Sequence, residues 1–236
     1  VMTGQLDQYA TEIGLWQGIF GKYGIDLQTT EFVAGINTID AVVNGTADIG
    51  MMADYAAVNR LGNTLDATNL QIFSQISGGQ AALSGGLYVD PKYADDPKSL
   101  DGSAGFMYQE GTVTYYYASK CIEYLGLDES KQNLINTDSS QTRLALIQKG
   151  GASAMYANGS EAKYIEEAGW VQVATSQEIG IQTGSYFLST DKYISENTDT
   201  LAKFLQAVDE STQYINDHLD ESAEYLADKL GLKAED

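Results

Sequence analysis

One cysteine, one histidine and two prolines are all that this chain of 236 residues carries of those three types, and each shortage removes a class of function. With Cys121 alone, no internal disulfide can form and no thiolate cluster can hold a metal. The single histidine, His218, lies in a terminal helical stretch among Asn216, Asp217 and Asp220. Serine chemistry assisted by a positioned imidazole therefore has one poorly placed base. The run Ala82-Leu83-Ser84-Gly85-Gly86 only superficially echoes a nucleophile elbow. No Asp/Glu spacing matches a metal-ligand set. The chain also lacks the ~18-residue apolar run of a membrane-spanning helix, and the basic start and apolar stretch of a secretory leader. Any export leader is thus expected to have been removed, and Val1-Met2-Thr3-Gly4 reads as the end of a strand running into a turn. Basic residues are scarce as well: 13 Lys and Arg face 33 Asp and Glu, for a formal net charge of −20, and the arginines are Arg60 and Arg143. A phosphate backbone or an anionic lipid surface would be repelled, which excludes nucleic acid as a partner.

What the chain does contain is a core-forming share of apolar residues, 43%, in two alternating rhythms. Ile13, Trp16 and Phe20 share a helical face that ends at Gly21 and Gly24, and Ile25-Asp26-Leu27 begins a strand pattern. Ile36, Ile39 and Val43 mark a second helix stopped at Asn44-Gly45. A strand at 47–50, a helix from Asp54, and strands at 70–76 and 83–89 complete a βαβα order, which implies parallel-rich sheets covered by helices. Both prolines fall in the polar stretch 90–97, the best boundary in the chain. A second unit follows. It has a strand at 104–108, a helix started by Gly111-Thr112 and carrying Val113, Tyr117, Cys121 and Tyr124, a helix capped by Ser139-Ser140-Gln141, and a third at 162–168. From Tyr186 a strand leads into a long amphipathic helix with Leu201, Phe204, Leu205, Val208, Ile215 and Leu219 on one face. The expected organisation is one lobe of residues 1–97 plus 187–236, with 98–186 inserted as a second lobe.

Three blocks carry a family pattern: Gly18-Ile19-Phe20-Gly21-Lys22-Tyr23-Gly24-Ile25-Asp26-Leu27, then Phe32-Val33-Ala34-Gly35, then Ile39-Asp40-Ala41-Val42-Val43-Asn44-Gly45-Thr46-Ala47-Asp48-Ile49-Gly50. They resemble the substrate-binding proteins for nitrate, taurine, alkanesulfonates and thiamine-pyrimidine precursors. Tyr117-Ala118-Ser119-Lys120, Tyr124-Leu125-Gly126-Leu127, Leu144-Ala145-Leu146-Ile147-Gln148-Lys149-Gly150 and the tail from Tyr186 keep step with them. At 150–154 the chain reads Gly-Gly-Ala-Ser-Ala, where family members commonly carry Gly-x-Val-Asp-Ala, and Asn158-Gly159 stands near a usual proline. The resemblance implies a periplasmic-binding-protein-like α/β fold of two lobes, each a parallel-rich mixed sheet flanked by helices, with a ligand cleft between them. It also implies hinge closure, placed here near 98–102 and 184–187, and delivery of a small molecule to the permease of an ABC importer. An extracytoplasmic monomer, with a lipid anchor as in relatives, completes the expectation.

In such sheets ligands lie beyond the carboxyl ends of the strands, where helix N-termini converge. The segments expected there supply the candidate residues: Gln5 and Tyr9; Asp54 and Tyr55; Ser77 and Gly78; Gly111, Thr112, Thr114 and Tyr115; Ser139; Tyr156 and Asn158. Gly111 and Thr112 would let a ligand approach first-turn amides, and they equally form an ordinary N-cap. Ser139 has the same two readings. Four tyrosines at strand-to-helix junctions, Tyr9, Tyr55, Tyr115 and Tyr156, suit a flat or apolar group, although core packing explains tyrosines as well. Within these segments lie Asp7, Asp54, Glu110 and Asp138, with Glu161 slightly more distant, but no lysine or arginine; an anion would depend on amides, hydroxyls and helix dipoles, or on Arg143 reaching back from the first turn of its helix. A neutral or cationic ligand fits this better than a bare anion. No catalytic residue, metal or cofactor is expected. The fungal thiamine-pyrimidine synthase of similar fold relies on a cysteine-rich iron segment and a histidine, and this chain has neither. A ligand-sensing domain of a receptor is the alternative within the same architecture.

Overall fold

The computed structural model describes residues 9–32, 35–62, 69–78, 85–100 and 105–230; Gln5 and the strand expected at 1–3 lie outside them. In chain order the elements are α1 Tyr9–Trp16, α2 Ile19–Lys22, α3 Gly35–Val43, β1 Gly50–Ala53, α4 Asp54–Gly62, β2 Leu70–Gly78, β3 Gly86–Val89, β4 Gly105–Tyr108, α5 Val113–Leu125, β5 Asn133–Asn136, α6 Ser140–Gln148, β6 Ala154–Ala157, α7 Gly159–Glu167, β7 Val171–Thr175, α8 Ser176–Ile179, β8 Gly184–Thr190, α9 Asp191–Glu196, α10 Thr198–Asp217 and α11 Leu219–Leu230. The chain divides into two compact units. The first comprises Val1–Ala53, Arg60–Ser77 and Ser185–Asp236, and the second Asp54–Asn59 and Gly78–Gly184.

The first unit holds a three-stranded sheet ordered β1-β8-β2. β1 runs antiparallel to β8, with Gly50 opposite Leu188 and Ala53 opposite Ser185. The stripe predicted through Ile13, Trp16 and Phe20 is not one helix. Gly18 takes φ +65° and separates α1 from α2, a conformation that glycine adopts without the Cβ clash. Ile13, Ile19 and Phe20 are nevertheless all buried, and the Phe20 ring meets Phe204 of α10, which meets Phe187 of β8. Gly14 makes this packing possible: a Cβ there would lie 2.3 Å from Ser211 Oγ and 2.6 Å from the Phe20 ring. Trp16 instead stays 38% exposed and stacks on Tyr225 at 4.3 Å.

Three further expectations shift in this unit. The strand placed at 47–50 begins at Gly50, because Gly45 at φ +69° turns the chain so that the Thr46 and Ala47 N–H groups donate back to the Ala41 carbonyl. Residues 25–31 form no strand ladder. The terminal helix breaks at His218, so Leu219 begins α11 and is 63% exposed instead of continuing the buried stripe of Leu201 and Phe204.

The second unit is built on a five-stranded sheet ordered β5-β4-β6-β3-β7. β5, β4 and β6 are mutually parallel, whereas β3 runs antiparallel to both β6 and β7. Strand side chains alternate between faces, and here both faces are covered. Leu87, Val89, Phe106, Ala154 and Tyr156 join Tyr117, Cys121, Ile122 and Leu125 of α5 in one core. Their alternates Tyr88, Met107, Met155 and Ala157 join Ile165 and Trp170 in the other. Burying one such large apolar side chain contributes about 1.5–3 kcal/mol, so the two-faced strands dominate this unit's stability. At the β3–β7 seam Gly86 leaves no alternative, since a Cβ would sit 2.0 Å from the Ala174 carbonyl oxygen. No helix among the described residues is long and apolar enough to cross a membrane.

Candidate functional site: a rim at the ends of three parallel strands

β5, β4 and β6 point the same way, so their carboxyl ends form one edge of the second unit, and each is followed by the start of a helix. Unpaired first-turn N–H groups and the positive end of the helix dipole make such an edge receptive to polar ligand groups. After β4, Gly111 at φ +75° turns the chain into Thr112, the N-cap of α5. The Thr112 hydroxyl donates to the Gln109 carbonyl at 2.9 Å and lies 2.8 Å from the Thr114 hydroxyl, which accepts from Gln109 N–H at 2.7 Å. Thr112 and Thr114 are therefore occupied by their own turn. After β5, the Thr137 N–H and hydroxyl both donate to the Tyr108 carbonyl, at 2.8 and 2.9 Å, which binds the ends of β5 and β4 together. Ser139 caps α6 by accepting from Thr142 N–H. Hydrogen bonding from Thr142 also holds the Asp138 carboxyl below its ordinary range. After β6, Asn158 leads into α7 without a side-chain cap bond.

Arg143 spans the three strand ends. Its side chain is 9% exposed and pairs with Glu161 at 2.5 Å. Nε donates to Thr137 Oγ1 at 3.1 Å, and Nη2 reaches Gln109 Oε1 at 3.4 Å. Glu161 also accepts from the Ser140 hydroxyl at 3.2 Å. One guanidinium thus links residues that follow β4, β5 and β6.

Beside this polar network stand aromatic rings. Tyr115 meets Tyr108 edge to face at 5.4 Å, and its hydroxyl donates to Glu129 at 2.9 Å, the bond that raises its pKa. Tyr55 is half-buried and within electrostatic reach of Tyr115. Tyr156 is placed deeper, 6% exposed in the core, 4.2 Å from the Tyr117 ring, with its hydroxyl 2.9 Å from Ser176 Oγ. Burial pushes both phenol pKa values up. Asp54 opens α4 and accepts from the Thr183 hydroxyl at 2.8 Å and Gly184 N–H at 3.0 Å.

The structure therefore brings Gly111, Thr112, Thr114, Tyr115, Ser139 and Asn158 to one edge of the second unit. Asp54 and Tyr55 share that unit, and so does Gly78, at the end of β2. Tyr9 and Ser77 belong to the first, at the start of α1 and near the end of β2, and Gln5 lies outside the described residues. Sequence reasoning placed Gln109 in a candidate segment and weighed Arg143 and Glu161 for their charge, but it did not select Thr137 or join the four, because their association depends on a strand order that no local pattern carries. Among the described residues no group of three or more His, Cys, Asp and Glu side chains converges to hold a metal. His218 is exposed and stacks on Tyr214 at 4.2 Å.

A family model described as NMT1/THI5 like matches residues 13–222. No curated protein matches the chain. Among solved structures it is similar to the periplasmic aliphatic sulphonate binding protein SsuA of Escherichia coli, with a TM-score of 0.82 at 16% identity over 99% of this chain and 74% of that one. The alkanesulfonate-binding SsuA of Xanthomonas axonopodis pv. citri, bound to MOPS, gives 0.75 at 16% identity over 96% and 77%. The periplasmic nitrate-binding protein NrtA of Synechocystis PCC 6803 gives 0.73 at 14% identity over 99% and 66%. At such identities the likeness establishes a common fold, that of periplasmic binding proteins.

Proposed function

Because the chain belongs to the NMT1/THI5-like family, we propose that it is an extracytoplasmic solute-binding protein that captures a small organic molecule and delivers it to an ABC importer. The observation that carries this reading is the rim itself: three parallel strands of the second unit end side by side, each leading into a helix N-terminus. Open α/β sheets bind ligands at such edges, and the neighbours in fold are named as binding proteins for sulfonates and nitrate. The ligand class proposed here differs from theirs. Tyr55, Tyr108 and Tyr115 offer half-buried ring faces, and Glu110 and Asp138 add negative charge at the same edge. A neutral or cationic molecule with a flat or apolar part suits that combination.

A thermal-shift screen of the purified protein tests the reading, using pyrimidines, aromatic amides, polyamines, alkanesulfonates and nitrate. A ligand at ~100 times its Kd adds about 2.7 kcal/mol of stability. Stabilisation by a ring compound or an amine, weakened in Tyr115→Ala, is expected. A panel in which only alkanesulfonates or nitrate stabilise the protein, or nothing does, refutes capture of this class.

A further inference from the structure

Among the described residues the rim of the second unit contains one buried cation, and it is already neutralised from within. Arg143 is 8% exposed, and three of its nitrogens are engaged by Thr137, Glu161 and Gln109. A guanidinium presents a planar fork of donors that matches the spaced oxygens of a carboxylate, a sulfonate or a nitrate. Here the carboxylate is the chain's own. Glu161 stands in the first turn of α7, is itself only 25% exposed in its side chain, and is steadied by the Ser140 hydroxyl from the neighbouring helix.

We propose that Glu161 is a specificity-determining residue: an internal anion that occupies Arg143 and so keeps bare oxyanions off the rim. The proposal rests on the rim being the ligand-facing edge. To take Arg143, an incoming sulfonate must expel Glu161. The displaced carboxylate would then lie, without its counter-ion, beside a second negative charge. Taking the counter-ion from one side of such a part-buried pair leaves a charge uncompensated, and Glu110 and Asp138 follow β4 and β5 on the same edge. A neutral or cationic molecule meets no such barrier, since the tyrosine faces, the amide-rich helix starts and the acidic side chains stay available.

Isothermal titration calorimetry of the whole chain with methanesulfonate, nitrate and sulfate tests this directly. The wild type is expected to show no saturable heat with any of them at millimolar concentration. Glu161→Gln keeps the side-chain shape and an acceptor oxygen but removes the charge. It is expected to show saturable methanesulfonate heat, at an affinity at least about tenfold above the wild-type detection limit, the change that ~1.4 kcal/mol produces, and to lose it when Arg143→Met is added. If Glu161→Gln does not fold, Glu161→Asp draws the carboxylate back by one methylene and is expected to give a smaller gain of the same sign. Saturable oxyanion binding by the wild type, or no gain in a folded Glu161 variant, overturns the proposal. If no ring compound or amine binds the wild type while Glu161→Gln still gains anion affinity, the proposed ligand class fails and this proposal stands; the opposite pair of results sinks this one only.

Discussion

Asp54 offers the sharpest single-residue test. Its carboxylate opens α4 and receives the Thr183 hydroxyl on one oxygen and the Gly184 N–H on the other, at 2.8 and 3.0 Å, besides the N–H of Tyr55 at 2.7 Å. Hydrogen bonds to a charged group contribute about 1.5–3 kcal/mol each. Asp54 is half-buried, so the lower end applies to the two long-range bonds, while water can replace the local bond to Tyr55. Asp54→Ala is therefore expected to lose about 3 kcal/mol, and Asp54→Asn, which keeps one acceptor oxygen, about half as much. The two tryptophans make the measurement selective, because Trp170 lies in the core of the second unit and Trp16 in the first. In a Trp16→Phe background, urea unfolding followed by Trp170 fluorescence reports the unit that contains Asp54. An Asp54→Ala loss within about 0.5 kcal/mol of zero, the range of an ordinary surface change, or an Asn variant no better than Ala, would refute the reasoning.

Other outcomes follow from particular contacts. Gly86→Ala must force the β3–β7 seam apart, since its new methyl would meet the Ala174 carbonyl at 2.0 Å; a loss above ~2 kcal/mol in thermal unfolding is expected, and a neutral result would contradict the seam. The Tyr88 phenol, buried and donating to Glu166 at 2.9 Å, has its pKa pushed up to about 12 from 10.0. A folded-state pKa raised in this way gives stability that is full below pH 10 and is lost as pH rises toward 12. Relative to Tyr88→Phe, the wild type should lose about 1–2 kcal/mol across that window, and parallel stability curves would disprove it. Burial also raises the Cys121 thiol pKa, so a thiol reagent should react with the native protein no faster than it unfolds. Prompt labelling would place Cys121 elsewhere.

How far these features could be read in advance depended on whether their cause was local. α5 was legible at both ends, α3 at its C-terminus and α6 at its N-terminus, because Thr112, Gly126, Asn44-Gly45 and Ser139 are cap and stop residues that act within a turn. The displacement of β1 to Gly50 was not, because it follows from the turn after α3 using up residues 45–47. The break at His218 lies within an uninterrupted amphipathic pattern and has no proline or glycine to announce it. At the site, the residues that start helices were legible for the same local reason. That Tyr156 would sit in the core was not, since its neighbours Tyr117 and Ser176 are distant in sequence. Nor was the partnership of Arg143 with Gln109, Thr137 and Glu161, which exists only because β4 lies between β5 and β6.

The division of the chain also fixes the order in which it can become structured during synthesis. The second unit is complete once Gly184 has emerged, whereas the first still lacks β8, the strand that lies between β1 and β2. Domains fold as their last segment becomes available, so the part that begins nearest the N-terminus finishes last. Until the final quarter of the chain leaves the ribosome, α1 to β1 has no sheet to join, and Phe20 has neither Phe187 nor Phe204 to pack against. The first unit therefore stays without its central strand after the second has everything it needs to fold.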